Sequence, residues 1–223
     1  HKFPLFSQLF NSIDMSMGWS TEVRRDSLQT SGSSCYDGFS MTNKNDLWQD
    51  ELRAAFAAAD AGSRVLLGYF GQLPSVERKD NQSLVSIADL ESEKIIQQTL
   101  LQHNPDVNFL AEESGRTLNL AKSSWTWIID PLDGTTNYVH RLPFFAISIA
   151  LQVDGEIVVG VIDVPVLKQR YWAARQGGAY MNGKKIGVSQ RSKVFDSLVA
   201  TGFSVSDHSR LCGDLKILES VLQ

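Results

Sequence analysis

The sequence predicts a layered α/β domain, on three observations. Two early segments carry apolar residues at helical spacing, a long middle stretch is a succession of β-rich runs, and Asp-Gly, Gly-Gly and Asn-Gly pairs punctuate those runs. From Asp46, residues Leu52, Ala55, Phe56, Ala59, Leu66 and Tyr69 mark one face of a helix ending near Gly71. A second helix is expected over about 88–103, with Leu90, Ile95, Ile96, Leu100 and Leu101 as its apolar set and Asn104-Pro105 as its stop. A short apolar run, Asn108-Phe109-Leu110-Ala111, precedes four β-rich runs at 125–130, 146–153, 157–164 and 169–174. Asp154-Gly155 makes a hairpin of the second and third. Gly177-Gly178 and Asn182-Gly183 frame two more short strands, 195–201 reads as another strand and 211–222 as a helix, with Cys212 as a small buried residue on it. No internal repeat is apparent.

Composition narrows the function. With 21 Lys and Arg against 25 Asp and Glu, 43% apolar residues and 223 residues, the chain is long enough to bury a core without a structural metal or disulfides. A metal, where present, serves chemistry. The mildly acidic balance, with no Lys/Arg-rich block, excludes a dedicated nucleic-acid or anionic-membrane surface. A small phosphorylated ligand stays compatible with it. The apolar stretch 144–153 is too short to span a bilayer, and Cys35 and Cys212, far apart, form neither a disulfide framework nor a thiolate site. A reducing, cytoplasmic setting follows. Residues 1–46 differ in texture, with twelve Ser and Thr, five acids and four bases, and read as an extension outside the domain of residues 47–223. Their acids weaken a targeting reading, which would place the protein in an organelle.

The chemistry concentrates in Trp127-Ile128-Ile129-Asp130-Pro131-Leu132-Asp133-Gly134-Thr135-Thr136-Asn137. An apolar strand delivers Asp130 at its end, Pro131 fixes the turn, and Asp133 follows three residues later, so both carboxylates converge on one small volume. Two acids held that close repel unless a cation lies between them, and hard oxygen ligands suit Mg2+. Gly134 removes side-chain bulk where the N–H groups of Gly134 and Thr135 could turn toward a phosphate. Taken alone, the segment reads equally as a surface turn built from the usual turn residues. A second acidic pair, Glu112-Glu113, directly after the run ending at Ala111, tips the balance. Lys79 and Ser83 to Asp89 form a third element, where Asp89 by itself would be a helix N-terminal acid.

In this order the three elements resemble the inositol monophosphatase family of Mg2+-dependent, lithium-sensitive phosphatases. The resemblance rests on Asp130 to His140, continuing through Leu142-Pro143-Phe144 and Ala146 to Leu151. Ala111-Glu112-Glu113-Ser114 (Ala where Gly is usual), Leu84 to Asp89 (Ser for Thr) and the hairpin Gly177 to Gly183 extend it, so that it covers roughly Asp46 to the end. It implies a layered α-β-α-β-α sandwich and a homodimer when full length. It implies that Glu112, Asp130 and the Leu132 carbonyl hold a first Mg2+, and that Asp130 and Asp133 contribute to a second. Leu132, Asp133, Gly134 and Thr135 would line the phosphate, Thr135 and Glu112 would position the attacking water, and Asp89 would orient the Thr135 hydroxyl. The expected activity is hydrolysis of a small phosphomonoester by cation-activated water, with inositol monophosphate first. Histidinol phosphate, fructose bisphosphate and adenosine bisphosphate are the alternatives within the superfamily.

One departure stands out. The family places a further metal-binding Asp in a Trp-Asp segment after the glycine-rich hairpin, and no Trp-Asp pair occurs here; Asp207 and Asp214 lie in unlike contexts. The expectation is a chain ending before that segment, or a non-catalytic regulatory homologue lacking the last ligand. His140 reads as structural rather than as a ligand.

Overall fold

The computed structural model describes residues 48–73, 76–78, 84–117, 123–198 and 208–222; the expectations for residues 1–46, Lys79 and Ser83 lie outside them. The elements are α1 (Gln49–Tyr69), β1 (Val76–Arg78), β2 (Leu84–Ser86), α2 (Ile87–His103), β3 (Asn108–Ala111), β4 (Gly115–Thr117) and β5 (Trp125–Asp133). They continue with α3 (Thr135–Val139), β6 (Ala146–Val153), β7 (Glu156–Val164), β8 (Gln169–Ala174), β9 (Gly178–Met181), β10 (Lys184–Ile186) and α4 (His208–Leu222). Strands β1 and β2 pair antiparallel, and the other eight form one sheet in the order β10-β9-β8-β7-β6-β5-β3-β4, parallel only between β3 and β5. This is the α/β class expected. Among the described residues it comprises the helix pair α1 and α2 laid on one face of that sheet.

Turn chemistry sets the meander. Asp154 and Gly155 take φ of 51° and 87°, and Asn182 and Gly183 take 48° and 78°. Two consecutive left-handed residues give the two-residue hairpin turn whose twist matches that of the strands. The helix-facing side of the sheet is built by register: Ile129, Ile149, Val161 and Trp172 lie in one cross-strand row, and Trp127, Leu151, Val159 and Ala174 in the next. Against these rows α1 packs an alanine-rich face, Ala54, Ala55, Ala58, Ala59, Gly62 and Leu66. Small side chains let the helix axis come close.

Three expectations are corrected. Along α2 the buried set is Ala88, Asp89, Ser92, Glu93, Ile96 and Leu100, whereas Leu90 is 50% exposed and Leu101 40%. The helix faces the sheet with a partly polar side. In place of a strand at 195–201, residues Val194–Asp196 form a 3-10 turn with Phe195 97% exposed, and 199–201 lie outside the described residues. β-type side chains make a strand only where a neighbour offers a ladder. Cys212 is exposed on α4, not buried. No helix among the described residues is long and apolar enough to cross a membrane.

Candidate functional site

The acids converge because two strands end together. β3 runs parallel to β5 with Leu110 opposite Ile128 and Ala111 opposite Ile129. The Glu112 N–H extends that ladder, donating to the Ile129 carbonyl at 3.1 Å. One more step along both chains sets Glu112 beside Asp130, on the face opposite the helices. Asp130 is half-buried at the strand end, where the ladder with β6 shifts register between Asp130 and Asp133. That irregularity turns the chain, and the Leu132 N–H donates back to Asp130 Oδ1 at 3.1 Å.

The electrostatics follow from this crowding. Burial, then the charges of Glu112 and Asp133, then a hydrogen bond with Glu112 push the Asp130 carboxyl up to about 9, against the Leu132 N–H. Asp133 is raised by burial and by Glu112, with the Gly134 N–H opposing. Gly134 is required on two counts: its φ is +89°, and a Cβ there would come within 2.9 Å of the Phe144 carbonyl oxygen. Asn137 Nδ2 donates to the same carbonyl at 2.7 Å, closing the 142–145 segment over the turn.

Thr135 opens α3, and its Oγ1 lies 3.3 Å from Asp89 Oδ1 and 3.1 Å from the Leu132 carbonyl oxygen. One hydroxyl proton serves one of these at a time. Asp89 is 1% exposed, and its other oxygen, Oδ2, accepts from the Ser86 N–H at 2.8 Å and the Ser86 hydroxyl at 2.6 Å, completing a capping box at the start of α2. Asp89 is thus both a helix-capping acid and the partner of Thr135. Burial raises its carboxyl, and the bonds from Ser86 and Thr135 work against that rise.

Sequence reasoning missed the rest of this helix face. Ser92 Oγ donates to the Pro131 carbonyl at 3.2 Å, and Glu93, 4% exposed, accepts the Glu113 N–H at 2.8 Å and the Ser114 N–H at 2.9 Å. Asp89, Ser92 and Glu93 stand at i, i+3 and i+4, the spacing of one helix face. That spacing was the available signal. His140 Nδ1 lies 2.8 Å from the Thr136 carbonyl oxygen, a local contact in keeping with a structural residue.

The donor chemistry fits a hard divalent cation. Three carboxylates and the Leu132 carbonyl are all oxygen donors, and burial together with repulsion from Glu112 and Asp133 raises Asp130, a stress that a cation relieves. Among the described residues no three His, Cys, Asp or Glu side chains already surround a common point. Asp130 is instead drawn to Glu112, and the Leu132 carbonyl to Thr135. Mg2+ keeps several waters and takes few protein ligands, so these side chains would need to part around the ion rather than form a finished cage.

Residues 48–220 match the model of the inositol monophosphatase family. An inositol-1-monophosphatase of Mesorhizobium japonicum is 40% identical over 153 residues, 68% of this chain and 57% of that protein. A fructose-1,6-bisphosphatase/inositol-1-monophosphatase of Aquifex aeolicus is 38% identical over 154 residues, 68% of this chain and 58% of its own length. The crystal structure of the extragenic suppressor protein suhB from Bartonella henselae superposes with a TM-score of 0.73 at 36% identity, over 77% of this chain and 66% of that one. The chain spans little more than half the length of the two curated relatives. With the motif, the fold and these matches in agreement, the chain belongs to the inositol monophosphatase family.

Proposed function

We propose that this chain carries the catalytic half-site of a Mg2+-dependent phosphomonoesterase. The observation that supports it most is the placing of Glu112 beside Asp130 at the ends of two parallel strands, with Asp133 and the Leu132 carbonyl on the turn that follows and the Thr135 hydroxyl 3.3 Å from the buried Asp89. Glu112, Asp130, Leu132 and Asp133 would hold Mg2+. Bound there, the cation supplies Lewis-acid stabilisation of the phosphoryl oxygens and lowers the pKa of water.

The protein's own part is to place a water and a phosphate. When Thr135 donates to Asp89, its lone pairs are free to accept from a water, which orients that water's remaining lone pair at phosphorus. Glu112, exposed at the mouth of the site, accepts the proton that the water loses. The water oxygen bonds to phosphorus as the ester P–O bond breaks, and the alkoxide leaves with the electron pair and takes a proton from solvent, to which Glu112 returns the one it accepted. The Gly134 and Thr135 N–H groups at the start of α3 would hold the phosphate. No covalent intermediate on the protein is needed.

Inositol monophosphate is the leading substrate and fructose bisphosphate the second, since relatives carry both activities in their names. Histidinol phosphate and adenosine bisphosphate follow. The same reading takes residues 47–223 as the phosphatase domain, at work in the cytoplasm, as a homodimer. The test is phosphate release from each of these esters with and without Mg2+. Mg2+-dependent release from inositol monophosphate supports the reading; Mg2+ binding with no release from any ester favours a regulatory homologue, and neither binding nor release overturns the site.

A further inference from the structure

We propose that Glu93 is a positioning residue, holding the turn after β3 so that Glu112 stands against Asp130. The proposal rests on the reading of the acids as a cation site, and adds to it a residue outside the motif that defines that site. Its basis is a convergence on one helix. The carboxylate of Glu93 is buried, and its two oxygens each take a backbone N–H from the two residues immediately after Glu112, at 2.8 and 2.9 Å. Gln97, one turn further along α2, adds to the same clamp: its Nε2 lies 3.1 Å from Ser114 Oγ and 3.4 Å from Glu93 Oε1. One and four residues before Glu93 the helix also reaches the second acid loop, through Ser92 to the Pro131 carbonyl and Asp89 to Thr135.

A single rigid helix therefore references both loops that carry the acids. The separation of Glu112 from Asp130 is fixed on one side by the β3–β5 ladder and on the other by α2. Two N–H groups pointing at one carboxylate are also a demanding arrangement. An amide in its place offers one acceptor and one NH2 group, so one of the two loop N–H groups meets a donor and swings away. Glu112 lies next to the freed residue, and its carboxylate moves with it.

The experiment uses the 223-residue chain and three variants, Glu93→Gln, Asp130→Asn and Leu100→Ala. Leu100 is fully buried on the same helix and touches neither loop in the contacts above, so its truncation reports general loosening of α2. Two readouts are taken on each: Mn2+ affinity by electron paramagnetic resonance, and hydrogen exchange of the Glu113 and Ser114 amides. Glu93→Gln is expected to lose protection at both amides and to weaken Mn2+ by about 10-fold or more, the scale seen when a residue that orients a ligand is replaced. Leu100→Ala keeps both properties near the parent's. Protection retained in Glu93→Gln overturns the proposal, as does protection lost with Mn2+ affinity unchanged, or an equal fall of affinity in Leu100→Ala. A parent chain that binds no Mn2+, or an Asp130→Asn variant that binds as the parent does, overturns the cation-site reading itself and the proposal with it.

Discussion

Two groups of acids occupy opposite faces of the same sheet, and they are handled in opposite ways. On the helix-facing side, Asp163 of β7 is 1% exposed and accepts from Arg170 Nε at 2.9 Å and from the hydroxyl of Ser63 on α1. The same guanidinium reaches Asp60 of α1 at 2.7 Å and lies over the Phe56 ring. Burial works against the Arg170 charge, but Asp163 and Asp60 outweigh it, so the guanidinium is held above its ordinary value. On the other side, burial first and then the carboxylates of Glu112 and Asp133 push the Asp130 carboxyl up to about 9, against the Leu132 N–H. One cluster is complete within the protein and bolts α1 to the sheet. The other sets carboxylates against one another among the described residues, a stress that a bound cation would offset, and that is how a binding site differs from a structural ion pair at equal residue type.

The largest effect expected from this contrast is at the completed cluster. Arg170→Met keeps most of the side-chain length but leaves Asp163 buried without its cation, and should cost about 3–5 kcal/mol. For a chain of this size that corresponds to a fall in Tm on the order of 10 °C. The double variant Arg170→Met with Asp163→Leu should recover much of the loss, since a buried pair replaced by apolar groups is often neutral. Thermal unfolding followed by circular dichroism measures both. A single variant melting within a degree of the parent breaks the comparison.

The next effect is smaller and falls on turnover. Thr135→Ala removes the hydroxyl between Asp89 and the Leu132 carbonyl while Asp89 keeps both bonds from Ser86. Phosphate release at saturating Mg2+ should fall by about 10²-fold, the scale of a lost positioning or proton-transfer group, with little change in Tm. Thr135→Ser, which retains the hydroxyl, should stay near the parent. Normal turnover in the alanine variant removes Thr135 from the chemistry.

These contrasts also mark where the fold was legible in the sequence. Strands β6 and β8 lie where the sequence places them, and β7 begins one residue earlier; β6 and β7 are buried on both faces for most of their length, which leaves a continuous apolar signature between turn residues. The acid motif was legible because its residues are adjacent in the chain. The side of α2 that matters was legible only at Asp89: Ser92 and Glu93 are residue types that usually face water, and each is buried against a loop distant in sequence that brings it a partner. Leu90 and Leu101, members of the apolar set of the same helix, lie exposed. Periodicity reads burial against apolar neighbours; it is blind to burial against backbone N–H groups and carbonyls. Asp163 and Arg170 escaped notice for the same reason, since their pairing is a matter of cross-strand register rather than of spacing.

The subtlest effect is a change of sign at Asp130. Its carboxyl is raised from an ordinary 3.8 to about 9, by burial first and then by Glu112 and Asp133. Between those values the folded chain holds a proton that the unfolded chain has released, so unfolding is favoured progressively as pH rises from about 4 to about 9. With divalent cations removed by a chelator, the parent should lose stability across that range. Asp130→Asn, which cannot ionise, should show a shallower slope and be the more stable of the two at pH 8. Mg2+ reverses the order. The parent, present as carboxylate around the ion, gains about 2.7 kcal/mol at a Mg2+ concentration 100 times Kd, roughly 5–10 °C in Tm. The asparagine variant, with an uncharged amide in place of an anionic ligand, binds Mg2+ at least about 10-fold more weakly and gains correspondingly less. Melting curves at pH 5, 7 and 9, each with chelator and with Mg2+, resolve all four combinations. A parent whose stability without cation is flat over this range, together with an equal Mg2+ shift in both proteins, would mean that Asp130 is no more strained than Asp163 and that the two faces of the sheet do not differ in the way described.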